Sequence, residues 1–324
     1  MPTAAPASSV TTWDRRHLLE LEGLSPADLE GLLDRAQNLL PVPTGESPRL
    51  PTLAGRTIAN YFMEDSTRTR CSFTLAARRL GADTIEVTSA GSSMKKGETF
   101  VDTALNLQAM GVHAFVVRCS ASGGPHMIAR AVNPGVPVIN AGDGKHEHPT
   151  QGLLDLLTLR QHWRTFAGKA LAIVGDVVSS RVARSAIHGL TTLGSNVILC
   201  GPPTLVPKSF EKIAAGPGRV TVTHDLDEIL GEVDAIMMLR VQFERVGEGP
   251  SPIPPDYRQL FGLNAARAAR LREHAVVLHP GPMNRGLEID SNVADDPRRS
   301  VILKQVTNGV AVRMAALEAV LKTN

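Results

Sequence analysis

Short apolar runs alternate with longer amphipathic segments from residue 56 almost to the end of this chain. Such alternation is the pattern of βαβ units, in which parallel strands are covered by helices on both faces of a sheet. The runs fall into two sets, at 57–62, 84–87, 114–117 and 137–139, and at 170–174, 196–199, 235–239 and 275–278. The pattern therefore predicts an α/β protein made of two doubly wound parallel-sheet domains.

Long helices are predicted to link these domains. A helical segment over 150–168 joins the two sets of strands, so we expect a first domain over 1–149 and a second over 150–308. The final helix, 309–324, has an apolar stripe, and we expect it to pack back on the first domain.

The stretch before the first strand also has helical spacing. Leucines at 18, 19, 21 and 24 predict one helix, and Ser25-Pro26 is typical of the start of another, with serine as N-cap and proline in the first turn. Residues 40–48 are rich in proline and are predicted to form a loop.

Polar residues follow nearly every predicted strand. In open α/β sheets ligands bind beyond the carboxyl ends of the strands, so these residues are expected to meet in one cleft. Arginine, lysine and histidine dominate the set, which suits a multiply charged anion. The segments concerned are 66–70, 91–98, Arg118, 142–151, Arg181, 240–242 and 279–282.

The first of these segments reads Ser66-Thr67-Arg68-Thr69-Arg70. It lies where a strand turns into a helix, and a helix N-terminus offers free N–H groups and partial positive charge. The alternative is an ordinary capped helix start, since serine and threonine are common N-caps. Two arginines there oppose the helix dipole unless an anion lies between them, which favours an anion site.

Composition excludes several classes of function. The net charge of +2 gives no general attraction to nucleic acid or membranes, and aromatic residues at 4% are too few for a base-stacking surface. Cys71, Cys119 and Cys200 have no C-x-x-C spacing, which suits a reducing compartment. The first residues lack the pattern of a secretory signal, and no apolar run approaches the roughly 20 residues of a membrane span. We therefore expect a cytoplasmic protein.

Several catalytic chemistries are also not indicated. There is no G-x-S-x-G elbow, and His146-Glu147-His148 is too closely spaced to be a helical H-E-x-x-H zinc motif. No G-x-G-x-x-G follows the strand at 170–174, which disfavours a nucleotide-binding module. We expect neither a metal nor a cofactor.

The remaining donors suit a site that holds two anions together and stabilises charge developing on an oxygen. Such a site would catalyse transfer of a small acyl group from phosphate. His148 would donate to a carbonyl oxygen, although a lone histidine is more often a loop or capping residue. Arg181 and Arg240 would add cations to the cleft, and structural ion pairs are the alternative.

Taken together, these motifs resemble those of the aspartate and ornithine carbamoyltransferases along nearly the whole chain. Residues 66–70 are similar to the family's carbamoyl-phosphate signature, and His148-Pro149-Thr150-Gln151 to its second signature. Members that use ornithine carry a His-Cys-Leu-Pro stretch, whereas this chain has His279-Pro280-Gly281-Pro282. That stretch, with 240–245 and 91–99, resembles the members that use aspartate. Two arginine forks also suit the two carboxylates of aspartate.

The resemblance implies that residues 1–149 bind carbamoyl phosphate and 150–308 bind L-aspartate. The carbamoyl group would pass to the aspartate amino group, giving N-carbamoyl-L-aspartate and phosphate, an early step of pyrimidine synthesis. The implied phosphate ligands are Ser66, Thr67, Arg68 and Thr69. The implied partners of the carbonyl oxygen are Thr69, Arg118 and His148, and those of the carbamoyl amide are Gln151, Gly281 and Pro282. The implied aspartate ligands are Lys96, Arg181, Arg240 and Gln242.

The resemblance also implies a homotrimer with shared active sites, in which Ser92 and Lys96 reach the neighbouring subunit's site. A larger assembly with regulatory or dihydroorotase chains is compatible with it. One departure is Cys119, where the family often has histidine, and another is the abundance of proline and glycine over 246–256. A non-catalytic paralogue is the alternative, but it should have lost site residues, and every assigned position carries a competent side chain.

Overall fold

Two parallel β-sheets organise the computed structural model, which describes residues 13–89, 97–242 and 253–322. The first sheet has the order β2-β1-β3-β4, with strands β1 (Thr57–Phe62), β2 (Asp83–Thr88), β3 (Ala114–Cys119) and β4 (Val138–Asp143). The second has the order β7-β6-β5-β8-β9, with β5 (Ala170–Val174), β6 (Asn196–Cys200), β7 (Val220–Thr223), β8 (Ala235–Met238) and β9 (Val276–Leu278). The prediction of two parallel-sheet α/β domains is confirmed.

The strand order reverses once in each sheet. From β1 the chain goes to β2 on one side and then to β3 on the other, and from β5 it goes to β6 on one side and later to β8 on the other. Connections leave in opposite directions at these two points, so a crevice opens between β1 and β3 and another between β5 and β8. The fold thus offers two ligand crevices at the carboxyl ends of the strands.

Helices fill the intervals between strands and cover the sheets. In chain order they are α1 (Pro26–Leu39), α2 (Pro41–Thr44), α3 (Thr67–Arg79), α4 (Phe100–Ala109), α5 (Gly124–Ala131), α6 (Pro149–Trp163), α7 (Arg181–Thr192), α8 (Tyr257–Phe261), α9 (Ala265–Arg270), α10 (Ser291–Ala294) and α11 (Ile302–Lys322). No helix of these described residues has the length and apolar character that crossing a membrane requires.

The predicted helix over residues 18–24 is wrong. Leu18 bridges to Ile139 of β4 as an extended segment, with its N–H donating to the carbonyl of Val138 at 3.0 Å. Leu18, Leu21 and Leu24 are buried because the segment lies along the sheet edge, so tertiary packing and not helical periodicity explains their spacing. The next helix begins as predicted, with Ser25 and Asp28 forming a reciprocal capping box at the start of α1.

The C-terminal helix α11 begins at Ile302, earlier than the predicted residue 309. Gly309 suggested a boundary but lies inside the helix, where a Cβ would come within 3.1 Å of Leu154 Cδ2. The glycine therefore permits close approach to α6. Helix α11 packs against α1, α3 and α6. The prediction also missed β7, and the loop predicted over 40–48 contains the short helix α2.

Candidate active site

A cavity of about 930 Å³ lies where the carboxyl ends of the two sheets face each other. All the described residues that were assigned above as ligands of carbamoyl phosphate or L-aspartate line it. From the first sheet and α6 these are Ser66, Thr67, Arg68, Thr69, Arg118, His148 and Gln151, and from the second sheet Arg181, Arg240, Gln242, Gly281 and Pro282. Ser92 and Lys96 lie outside the described residues, as does most of the 246–256 loop.

The N-terminus of α3 forms one wall of this cavity. Ser66 is the N-cap in an extended conformation, and its side chain makes no capping hydrogen bond. The N–H groups of Thr67, Arg68 and Thr69 have no acceptor within the helix, because the first turn of any α-helix leaves its donors unpaired. Arg68 Nη2 donates to the carbonyl of Pro280 at 2.7 Å, which ties this helix start to the second sheet. Hydroxyl groups, backbone amides and a guanidinium thus lie together at the start of α3, on the wall of the cavity.

Arg70 does not join this cluster, in contrast to the prediction of two arginines around one anion. Its Nε lies 4.0 Å from Glu86 Oε2, and both side chains are more than a third exposed. Arg70 is absent from the cavity lining. The anion-binding potential of the helix start therefore depends on Arg68.

Glu64 bridges the two crevices. Its Oε1 accepts a hydrogen bond from Arg118 Nη2 at 2.7 Å, and its Oε2 accepts one from Arg181 Nη1 at 2.9 Å. Arg181 Nη2 also donates to Oε1. The two arginines are 11% and 7% exposed, so this carboxylate neutralises two largely buried cations from different sheets.

His148 is the N-cap residue of α6 and is buried. Its backbone N–H donates to Ser185 Oγ at 2.9 Å, which fixes the turn that points the ring at the cavity. Burial, reinforced by the Arg118 guanidinium, holds the pKa of His148 well below its usual value. The ring is therefore neutral near pH 7 and offers one N–H donor.

Behind the cavity, a buried polar chain joins α6, α11 and the loop after β9. Asp155 Oδ1 accepts from Gln151 Nε2 at 3.0 Å and from Gln305 Nε2 at 2.7 Å, and Gln305 Oε1 accepts from the His279 N–H at 3.0 Å. Burial raises the pKa of Asp155 to about 7. This hydrogen-bond network fixes the position of Gln151 relative to the 279–282 loop.

Gly281 allows that loop to approach Arg68. It has a φ of +61°, and a Cβ built on it would lie 1.9 Å from Arg68 Nη1. A side chain at this position would require the guanidinium to move. The absence of a Cβ therefore lets the backbone of the 280–282 loop border the same part of the cavity as Arg68.

Arg240 and Gln242 follow β8 and complete the opposite wall. Gln242 Nε2 lies 3.5 Å from the carbonyl of Ser179, a contact at the limit of hydrogen bonding. Four arginines and one neutral imidazole thus surround a space that also contains Glu64 and Asp65. Such a site can bind anionic groups at both ends and polarise an oxygen between them.

Family comparisons agree with this geometry. Residues 16–161 match the carbamoyl-P binding domain of aspartate/ornithine carbamoyltransferases, and residues 167–320 match the Asp/Orn binding domain. The chain belongs to the aspartate/ornithine carbamoyltransferase family. The resemblance found in the sequence motifs is thereby confirmed.

Relatives within this carbamoyltransferase family cover nearly the whole chain. The aspartate carbamoyltransferase catalytic subunit of Myxococcus xanthus is 53% identical over 94% of this chain and 98% of its own length. That of Granulibacter bethesdensis is 52% identical over 94% of each chain. The Trypanosoma cruzi aspartate transcarbamoylase in complex with carbamoyl phosphate and aspartate has a TM-score of 0.87 at 28% identity, over 96% of this chain and 98% of that one. Ornithine carbamoyltransferase from Pyrococcus furiosus has a TM-score of 0.84 at 26% identity, over 97% and 99%.

Sequence reasoning missed one prominent side chain of this carbamoyltransferase cavity. Glu64 lies two positions before the 66–70 signature, but a carboxylate is not expected in an anion site, so no motif pointed to it.

Cys119, which stands where the family often has histidine, is a buried residue at the end of β3. Its buried Sγ donates to the carbonyl of Ala121 at 3.1 Å, and burial raises the pKa of the thiol to about 11. The thiol is therefore neutral, and the residue is absent from the cavity lining.

Proposed function

We propose that this chain transfers the carbamoyl group of carbamoyl phosphate to the amino group of L-aspartate, giving N-carbamoyl-L-aspartate and phosphate, an early step of pyrimidine synthesis. The observation that carries the proposal is the cavity of about 930 Å³ between the two strand-reversal crevices, which is lined by arginines from both sheets. Relatives about 50% identical over most of the chain are named aspartate carbamoyltransferase catalytic subunits, which supports the choice of acceptor.

The donor would bind in the first crevice. Its phosphate would accept hydrogen bonds at the start of α3, from the segment Ser66–Thr69 and the Arg68 guanidinium. Thr69, Arg118 and His148 would polarise the carbonyl oxygen. Gln151, with the loop at Gly281 and Pro282, would hold the carbamoyl amide.

The acceptor would bind in the second crevice. Arg181 and Arg240 offer two planar forks, and L-aspartate has two carboxylates to receive them. Gln242 adjoins these arginines and would complete the site. The ion pair between Glu64 and Arg181 would have to break when a carboxylate of the substrate binds Arg181. Binding of aspartate would therefore rearrange the ion pairs between the two sheets.

The chemistry then needs little beyond positioning and electrostatics. The deprotonated aspartate amine attacks the carbonyl carbon, and a C–N bond forms as negative charge develops on the carbonyl oxygen. Arg118 and the neutral His148 stabilise that charge by donating hydrogen bonds. The intermediate collapses as the C–O bond to phosphate breaks, and the departing phosphate takes the proton lost by the amine.

The assembly is part of the same proposal. Ser92 and Lys96 of one subunit would enter the site of its neighbour in a homotrimer, so the complete site would need the oligomer. Higher assembly with regulatory or dihydroorotase chains is compatible with this arrangement. Sedimentation equilibrium of the purified chain tests the trimer, and a monomer with full activity would overturn it.

Initial rates with carbamoyl phosphate and either L-aspartate or L-ornithine test the reaction. We expect carbamoylated product with aspartate alone. Turnover with ornithine would agree with the assignment of the carbamoyl-phosphate site and overturn the assignment of the aspartate site. Ornithine is the second candidate because an ornithine enzyme shares the fold. Against it, residues 279–286 contain no cysteine, and Arg181 and Arg240 both line the cavity, where they would suit an acceptor with two carboxylates.

A further inference from the structure

Outside the cavity, three potential metal ligands converge on the surface beside the loop that carries His148. Glu20, His126 and His146 place one ligand atom each within 4.8 Å of one another. His126 Nε2 lies 3.4 Å from Glu20 Oε2, and His146 Nε2 lies 3.3 Å from the same oxygen. A tetrahedral ion with bonds of about 2.0–2.1 Å sets its ligand atoms about 3.3 Å apart. Two of the three separations therefore already have the required length.

The surroundings of His146 also have the form of a metal centre. Its Nδ1 lies 3.1 Å from Asp143 Oδ1, leaving Nε2 directed toward Glu20. A histidine that binds a metal through one ring nitrogen usually donates the other N–H to a carboxylate, which orients the ring. Asp143 is itself fixed, because it accepts hydrogen bonds from Asn140 Nδ2 at 2.7 Å and from the Gly123 N–H at 2.6 Å.

We propose that Glu20, His126 and His146 form a binding site for a divalent transition-metal ion such as Zn²⁺. Two imidazoles and one carboxylate are a ligand set that Zn²⁺ uses with an open fourth position. The three side chains are 37%, 28% and 28% exposed, so water can reach the ion and fill that position. The sequence predicted no metal site because no group of ligands has the spacing of a known metal motif. Glu20, His126 and His146 are too far apart along the chain to form such a motif.

The three ligands come from separate segments of the first domain. Glu20 lies in the extended N-terminal segment, His126 in α5, and His146 in the turn between β4 and α6. An ion bound here cross-links these segments on the outer side of the turn whose next residues include His148. Zn²⁺ should therefore raise the melting temperature, since the three ligands come together only in the folded state.

Zinc binding to untagged protein, freed of metal with a chelator, tests the site. Titration calorimetry with Zn²⁺ should give one ion per chain, and Co²⁺ should give the visible absorption of a four- or five-coordinate centre. His126→Ala and Glu20→Gln should each weaken binding at least about 10-fold and abolish the zinc-dependent rise in melting temperature. The Glu20 side chain is partly exposed, so Glu20→Gln remains informative if a histidine variant folds poorly.

His188→Gln is the matched control. His188 belongs to a second cluster with Glu22 and Glu147, in which its Nε2 lies 4.0 Å from Glu22 Oε2. This variant should bind Zn²⁺ like the wild type. The proposal is overturned if the wild type binds no stoichiometric Zn²⁺. In that case His146 would only share a proton with the carboxylates beside it. The proposal is equally overturned if only His188→Gln loses binding.

Discussion

Replacing Arg68 with alanine should remove most of the carbamoyl transfer activity. Within the described part of the chain, the guanidinium donates to the Pro280 carbonyl at 2.7 Å, and it borders the helix start where the phosphate would bind. Two charge-assisted hydrogen bonds to phosphate are worth about 3–6 kcal/mol together. At 1.36 kcal/mol for each factor of ten, kcat/KM should fall by about 10²–10⁴.

The assay measures initial rates of carbamoyl aspartate formation while each substrate is varied, with calorimetric binding of inorganic phosphate as a second readout. Arg68→Lys should fall between wild type and alanine, because lysine keeps the charge and loses the fork. Arg70→Ala is the matched control from the same helical turn, and its rate should stay within about threefold, since its only described ion pair is an exposed one. An alanine variant at 68 that keeps its rate within tenfold would refute the phosphate assignment.

Three further predictions concern the acceptor site, pH and packing. Arg240→Ala should raise the half-saturating aspartate concentration about 10–100-fold, from the loss of a charged hydrogen bond, and leave that for carbamoyl phosphate unchanged in steady-state kinetics; the reverse pattern contradicts the acceptor assignment. Asp155, with a pKa of about 7, holds its proton to higher pH when folded than when unfolded, so wild-type stability should fall as pH rises toward 7. Asp155→Asn should therefore gain about 3 kcal/mol relative to wild type between pH 5 and pH 8 in urea unfolding, and equal pH dependence would refute this. Gly309→Leu should lower unfolding free energy by about 1–3 kcal/mol, because even a Cβ there lies 2.5 Å from Arg313 Nη1; an unchanged urea midpoint contradicts the close packing.

Most of the fold was predictable from the sequence because strands such as β1, β3, β5 and β8 are short apolar runs buried on both faces. Strands of this kind stand out from amphipathic helices without knowledge of the partner strands. Strand β7 was missed because it is a four-residue edge strand in which only Val220 is buried, so its pattern is weak. The helix predicted around Leu18 failed because a strand-like segment against β4 buries leucines as effectively as a helix does.

The candidate site was predictable for a related reason. Parallel strands end at a common edge, so residues such as Arg118 and Arg240 could be brought together on topology alone. Contacts made in three dimensions by unrelated segments were not predictable. Glu64 reaches Arg181 across the two sheets, and Glu20 meets His146 through the fold of the N-terminal segment. Neither contact can be recognised from the local sequence, because its two residues lie far apart along the chain.

Glu64 is an internal counter-ion for two arginines of the cavity. The carboxylate already occupies the two arginines, Arg118 and Arg181, that an incoming substrate would engage. Substrate binding is then an exchange of one counter-ion for another, and its free energy is the difference between two ion pairings. The Glu64 carboxylate holds the two guanidiniums in position and compensates their charge. If the proposed function holds, an anion must match the planar arginine forks to displace Glu64, so we expect carboxylates and phosphates to be favoured over chloride.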